Sequence, residues 1–152
     1  MTFLENKVPP PIVMMISIIV MWLITESASD LTLFRPSAFA GAVLAVTGIL
    51  LAVSGVREFK RASTTINPLA PDSASNLVIS GIFSYSRNPM YLGMLLVLLG
   101  NGLYLENPWC ALVILAFMAF MIRFQIVPEE RAMQLMFGES FAEYCTKVRR
   151  WL

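Results

Sequence analysis

Two short runs carry most of the residue types that could do chemistry: Arg87-Asn88-Pro89-Met90-Tyr91 and Pro128-Glu129-Glu130. A guanidinium, an amide and a phenol stand in the first. Two adjacent carboxylates stand in the second, and Arg123 with Gln125 lies just ahead of them. Such a set suits binding of a polar ligand through charge-assisted hydrogen bonds, or positioning of one reactant against another. Histidine is absent, which removes imidazole as general base and as ligand for zinc, haem or non-haem iron. Cys110 and Cys145 stand apart and form neither a CxxC site nor a disulfide framework, so no metal site is expected.

The rest of the chain is strongly apolar. Of 152 residues, 57% are hydrophobic and 14% charged, where a soluble domain has about a quarter charged. Mean hydropathy is +0.70. The sequence therefore reads as a single all-α integral membrane domain over residues 1–152, with no large soluble part. Four apolar stretches, 11–25, 38–56, 90–105 and 109–127, predict four transmembrane helices of roughly the length a bilayer needs. Lys7 ahead of the first and Ser27-Ala28-Ser29 behind it resemble the flanks of a signal peptide. Glu5 and the Pro9-Pro10-Pro11 run fit a basic leader poorly, and a retained helix is the preferred reading.

With four spans, Lys7, Arg57, Lys60, Arg61, Arg87, Arg123, Arg131, Lys147, Arg149 and Arg150 share one side and only Arg35 takes the other. That asymmetry predicts both termini in the cytoplasm, with a bacterial inner membrane as the expected location. Net charge is +1, with no basic footprint for a nucleic acid. In the second helix Gly41, Ala45, Gly48, Ala52 and Gly55 make a stripe of small residues, read as helix packing, with Gly93 and Gly100 of the third helix as its counterpart. Beyond the fourth helix, Met133, Met136, Phe137, Phe141, Tyr144, Val148 and Trp151 predict an amphipathic interfacial helix kinked at Gly138.

Each polar group also has an ordinary explanation. Asn88 suits an N-cap before Pro89, Arg123 could snorkel to headgroups, and Glu129 and Glu130 could answer a helix dipole. Their gathering at one membrane boundary points further, to a place that a water-soluble cofactor and a lipid-like substrate reach from two sides.

At these residues the chain resembles the isoprenylcysteine carboxyl methyltransferases and the related phospholipid methyltransferases, over roughly residues 57–152. The family pattern runs Gly-x-Tyr, then Arg-His-Pro-x-Tyr-x-Gly, a helical hairpin, and Glu-Glu-x-x-Leu-x-x-x-Phe-Gly-x-x-Tyr-x-x-Tyr. Here it stands as Gly81-Ile82-Phe83, Arg87-Asn88-Pro89-Met90-Tyr91-Leu92-Gly93, Glu129-Glu130, Phe137-Gly138, Phe141 and Tyr144. Asn88 replaces the histidine, Phe83 and Phe141 replace tyrosines, and Met133 replaces the leucine. With Thr64-Thr65-Ile66-Asn67-Pro68 upstream, this form looks like a small bacterial branch.

The resemblance implies methyl transfer from S-adenosylmethionine to a lipophilic or lipid-tailed acceptor. It implies a cofactor pocket of Leu77, Val78, Asn88, Pro89, Met90 and Tyr91, closed by Glu129, with Arg87 and Glu130 in support. Arg123 looks like the substrate-side arginine, assigned here as catalytic. A carboxylate acceptor is favoured over an amine because it is already ionised and needs no base. A nicotinamide-dependent reductase of sterol-reductase type and a non-enzymatic membrane adaptor are the alternative readings.

Overall fold

The structure is a computed structural model, and residues 5–27, 38–63 and 76–152 are described. Ala28, Ser29, Arg35 and the Thr64-Thr65-Ile66-Asn67-Pro68 run, on which parts of the sequence reading rest, lie outside them. The described residues form helices without strands: α1 (Pro10–Ser27), α2 (Ala38–Arg61), a 3-10 turn (Gly81–Ser84), α3 (Pro89–Leu105), α4 (Cys110–Met121) and α5 (Val127–Lys147). Three helical segments, Pro10–Ser27, Ala38–Arg61 and Cys110–Lys147, are long and apolar enough to cross a membrane, and Pro89–Leu105 is a shorter apolar helix. The chain is an integral membrane protein built of helices.

Burial is inverted in the manner expected of a protein solvated by lipid. Ile16, Ile19 and Leu23 of α1, Leu50 of α2 and Leu112 and Leu115 of α4 face outward. A core of Met21, Leu98, Phe117, Met121 and Ile126 is closed between α1, α3 and the α4 segment. With lipid tails as apolar as leucine, helix association rests on close packing, and the small-residue stripe supplies it. A Cβ on Gly48 would overlap the Gly93 carbonyl oxygen, and one on Gly100 the Gly41 carbonyl oxygen. A Cβ on Gly41 would lie 2.7 Å from the carbonyl oxygen of Gly100. Gly55 packs instead on Met90, in the first turn of α3.

Three sequence expectations change. Helix α2 runs five residues past 56, to Arg61, because its last turns leave the apolar stretch and end among Glu58, Lys60 and Arg61. The fourth helix does not stop at 127. It passes through a π-turn, Ile122–Ile126, straight into α5. A proline inside a regular helix removes one bond and drives its ring against the carbonyl four residues back, and the wider turn opens that spacing just ahead of Pro128. The expected amphipathic helix is thus the continuation of the fourth one. Its kink at Gly138 is present, with φ 50° and ψ −122°, but it ends at Lys147, so Val148 and Trp151 belong to the extended tail behind it.

Candidate functional site

The site forms where α3 begins and α5 begins. Pro89 occupies the first turn of α3, where its missing N–H has no helical partner to lose. Asn88 is at the N-cap position, as expected, yet its side chain does not cap the helix. Its Nδ2 donates to the Arg150 carbonyl at 2.9 Å, while its own backbone N–H donates to Ser86 Oγ. The Arg87 backbone N–H donates to the Arg149 carbonyl at 3.0 Å. The extended tail after α5 therefore holds the Arg87-Asn88 pair by two carbonyls, an outcome that local capping rules do not foresee.

On α5, Glu129 receives two bonds on one oxygen. Tyr91 Oη donates to Oε1 at 2.5 Å and Gln125 Nε2 donates to the same atom at 2.7 Å. Neither bond engages Oε2. The π-turn puts Gln125 four residues ahead of Glu129 on the buried face, which explains why an amide in an apolar stretch is covered.

Glu130 serves the arginines. Arg150 meets it in bidentate fashion, Nε to Oε1 at 3.1 Å and Nη2 to Oε2 at 2.6 Å, and Arg87 Nη2 lies 3.3 Å from Oε1. This carboxylate raises the Arg150 pKa above its ordinary value. Arg87 Nη1 also contacts Cys145 Sγ, but Arg87 Nε is buried without a hydrogen-bond partner among the described residues. A buried donor of that kind costs free energy unless a ligand or water meets it.

These groups line one cavity of about 80 Å³, with Phe59, Asn76, Leu77, Val78, Phe83, Arg87, Asn88, Glu129, Glu130, Met133, Phe141 and Tyr144 around it. Of the residues singled out in the sequence, Leu77, Val78, Arg87, Asn88, Glu129 and Glu130 are in the wall. Tyr91 joins through its bond to Glu129. Pro89 is buried behind the wall, and Met90 turns toward Gly55 of α2. Tyr144 closes the far side by donating to the Phe83 carbonyl at 2.6 Å.

Arg123 is not brought to this cavity. Its guanidinium is half-exposed, lies over the Phe124 ring and pairs with Glu5 at 2.9 Å. Phe59 and Asn76 line the cavity without having been singled out. Phe59 falls past the expected end of α2, and its edge-on packing against Phe83, at 5.2 Å between ring centroids, brings it in. A second, apolar cavity of about 320 Å³ lies toward the other end of α3, among Leu44, Leu99, Leu103 and Ile114, and shares no residue with the site.

A helical membrane domain with a small, charged cavity at one end of its bundle is the class that fold and site define. Residues 36–140 match the phospholipid methyltransferase family, and the chain belongs to that family. Among relatives, an uncharacterized protein of Haemophilus influenzae is 41% identical over 63 residues, 41% of this chain and 100% of that protein. The human protein-S-isoprenylcysteine O-methyltransferase is 30% identical over 112 residues, 69% of this chain and 39% of the human protein. Protein-S-isoprenylcysteine O-methyltransferase B of Arabidopsis thaliana is 27% identical over 111 residues, 71% of this chain and 55% of its own length. The chain thus spans about two fifths to little more than half of the named methyltransferases it matches. No solved structure matches it.

Proposed function

We propose that the protein is a membrane methyltransferase that takes S-adenosylmethionine from the aqueous side and methylates a lipophilic or lipid-tailed acceptor at the inner face of the membrane. The observation that carries this reading is the meeting of Glu129, backed by Tyr91 and Gln125, with Arg87, whose Nε has no hydrogen-bond partner among the described residues, in the wall of a single cavity. When bound, S-adenosylmethionine supplies a methyl group on a sulfonium for in-line displacement.

The donor set fits that molecule's chemistry. In this reading Glu129 accepts from an ammonium or from ribose hydroxyls through Oε2, the oxygen that the Tyr91 and Gln125 bonds do not engage. Arg87, whose Nε has no partner among the described residues, is the donor this reading gives to the ligand's carboxylate. Leu77, Val78 and Phe141 give the apolar wall against which an aromatic base packs. At about 80 Å³ the cavity is below the roughly 300–1,000 Å³ of ligand pockets, so binding requires its walls to open.

No residue of the site needs to act as a base for a carboxylate acceptor, and the chain's work is then orientation and exclusion of water. A role for Arg123 in orienting the acceptor is not carried into the proposal, because its guanidinium pairs with Glu5 outside the cavity. Phospholipid and prenylated-cysteine acceptors both suit the family relationship, and an acceptor with a carboxylate is the favoured form. Titration calorimetry of the detergent-purified protein with S-adenosylmethionine, S-adenosylhomocysteine and NADPH tests the reading. Binding of the first two and not the third is expected; binding of NADPH alone overturns it.

A further inference from the structure

Glu5 and Asn6 lie against the π-turn, with 118 positions between Glu5 and its partner Arg123. Glu5 Oε1 pairs with Arg123 Nη1 at 2.9 Å and Oε2 with Arg131 Nη2 at 2.8 Å. One carboxylate thereby ties the residue near the start of the wide turn to a residue eight positions on, in the second turn of α5. The Asn6 backbone N–H donates to the Phe124 carbonyl at 3.0 Å. In a regular helix that carbonyl would be met by the residue at 128, and Pro128 has no N–H to give. Asn6 stands in for it.

Two further features mark this as a built contact. Asn6 has φ +52°, a left-handed conformation uncommon outside glycine and best tolerated by asparagine and aspartate, and it bends the chain so that both residues reach the turn. The Glu5 side chain is only 11% exposed against about half for each arginine, so its charge is covered and its pairs are less screened than open surface pairs.

The contact bears on the site because Gln125 and Glu129 lie between the two clamped arginines. A π-turn holds one residue more than an α-turn. Were it to relax, every side chain beyond it would rotate by about 100°, the angle of one helical residue. Glu129 would then leave Tyr91. We propose that Glu5 and Asn6 form a clamp that fixes the pitch of the π-turn and so aims Gln125 and Glu129 at Tyr91 and the cavity. Glu5 is a positioning residue, and this assignment rests on the reading of Glu129 as a cofactor ligand.

The experiment compares the full chain with Glu5→Ala, Glu5→Gln and the full charge exchange Glu5→Arg with Arg123→Glu and Arg131→Glu, in one detergent. Amide hydrogen exchange over residues 122–131 is expected to quicken tenfold or more in Glu5→Ala and Glu5→Gln, with 89–105 unchanged. The Kd for S-adenosylhomocysteine is expected to rise about tenfold in both, and the charge exchange to recover most of the loss. Glu5→Gln keeps the side chain's shape, so it decides the matter should Glu5→Ala fail to fold. Unchanged exchange over 122–131 overturns the clamp whatever the cofactor does, and tighter binding in Glu5→Ala overturns it in favour of a plug. A native protein that binds no S-adenosylhomocysteine while the exchange result holds removes the cofactor reading and leaves the clamp standing.

Discussion

Tyr91 donates its hydroxyl to Glu129 at 2.5 Å, joining the first turn of α3 to the first turn of α5 across 38 positions of chain. The bond makes the site a property of two helix ends held together, and the behaviour of variants follows from that.

Glu129→Ala should lose S-adenosylhomocysteine binding by a hundredfold or more. It also removes the acceptor of the Tyr91 hydroxyl, at about 1–3 kcal/mol for the loss of a buried hydrogen bond. Glu129→Gln keeps an oxygen for that hydroxyl and should bind weakly with a smaller fall in melting temperature. Calorimetry and a thermal melt of the two variants, side by side, separate the ligand role from the structural one; equal binding in all three proteins would defeat the assignment.

Asn88→Asp and Asn88→Ala should both weaken the cofactor, the first more than the second. The amide donates to the Arg150 carbonyl, and a carboxylate there would place two acceptors face to face. Loss of the tail contact is expected to show as faster amide exchange at Arg87. Arg150→Ala is the control: the carbonyl remains, only the partly buried pair with Glu130 is lost, and binding should fall less than in either Asn88 variant.

The motifs were legible because they are local. Arg87 to Gly93 and Glu129-Glu130 are contiguous, and charges beside apolar helices stand out against the expected pattern. The small-residue stripe was legible too, since a period of three and four residues maps directly onto one helix face. What escaped was decided at long range. Asn88 has the right position for a cap, but a carbonyl 62 residues away takes its amide. Pro128 reads as a helix end until the donor that replaces its N–H is found at Asn6. Arg123 looked like a substrate group by resemblance to the family, and a family pattern does not record that Glu5 returns to meet it.

Gly48→Val and Gly93→Val should fail to give a stable α2–α3 pair, because each new side chain meets backbone, which cannot move aside. Gly102→Ala should be mild by comparison, since the nearest atom to its Cβ is the flexible end of Met21 at 3.3 Å. Thermal melts in detergent check the contrast. A loss above 4 kcal/mol is expected for the valines and under about 1 kcal/mol for the alanine.

Tyr144→Phe should lower stability by about 0.5–1.5 kcal/mol and weaken cofactor binding a few-fold, as the Phe83 carbonyl loses its partner on the cavity's far wall. A melt and a titration together test it; unchanged values in both would mean that this wall is not part of the site.

Gly138 sets a different kind of constraint. Nothing among the described residues lies within 4 Å of the place where its side chain would be, so room is not what keeps it glycine. Its φ of 50° with ψ of −122° is the mirror image of an ordinary extended residue. A D-alanine introduced by chemical ligation would sit there without strain, whereas L-alanine would resist the bend. Every amino acid one base change away from a glycine codon has an L side chain, so no single nucleotide step offers this position an unstrained replacement. The turn of chain that returns Phe141 and Tyr144 to the cavity is therefore fixed by handedness, and chirality rather than crowding polices its mutation.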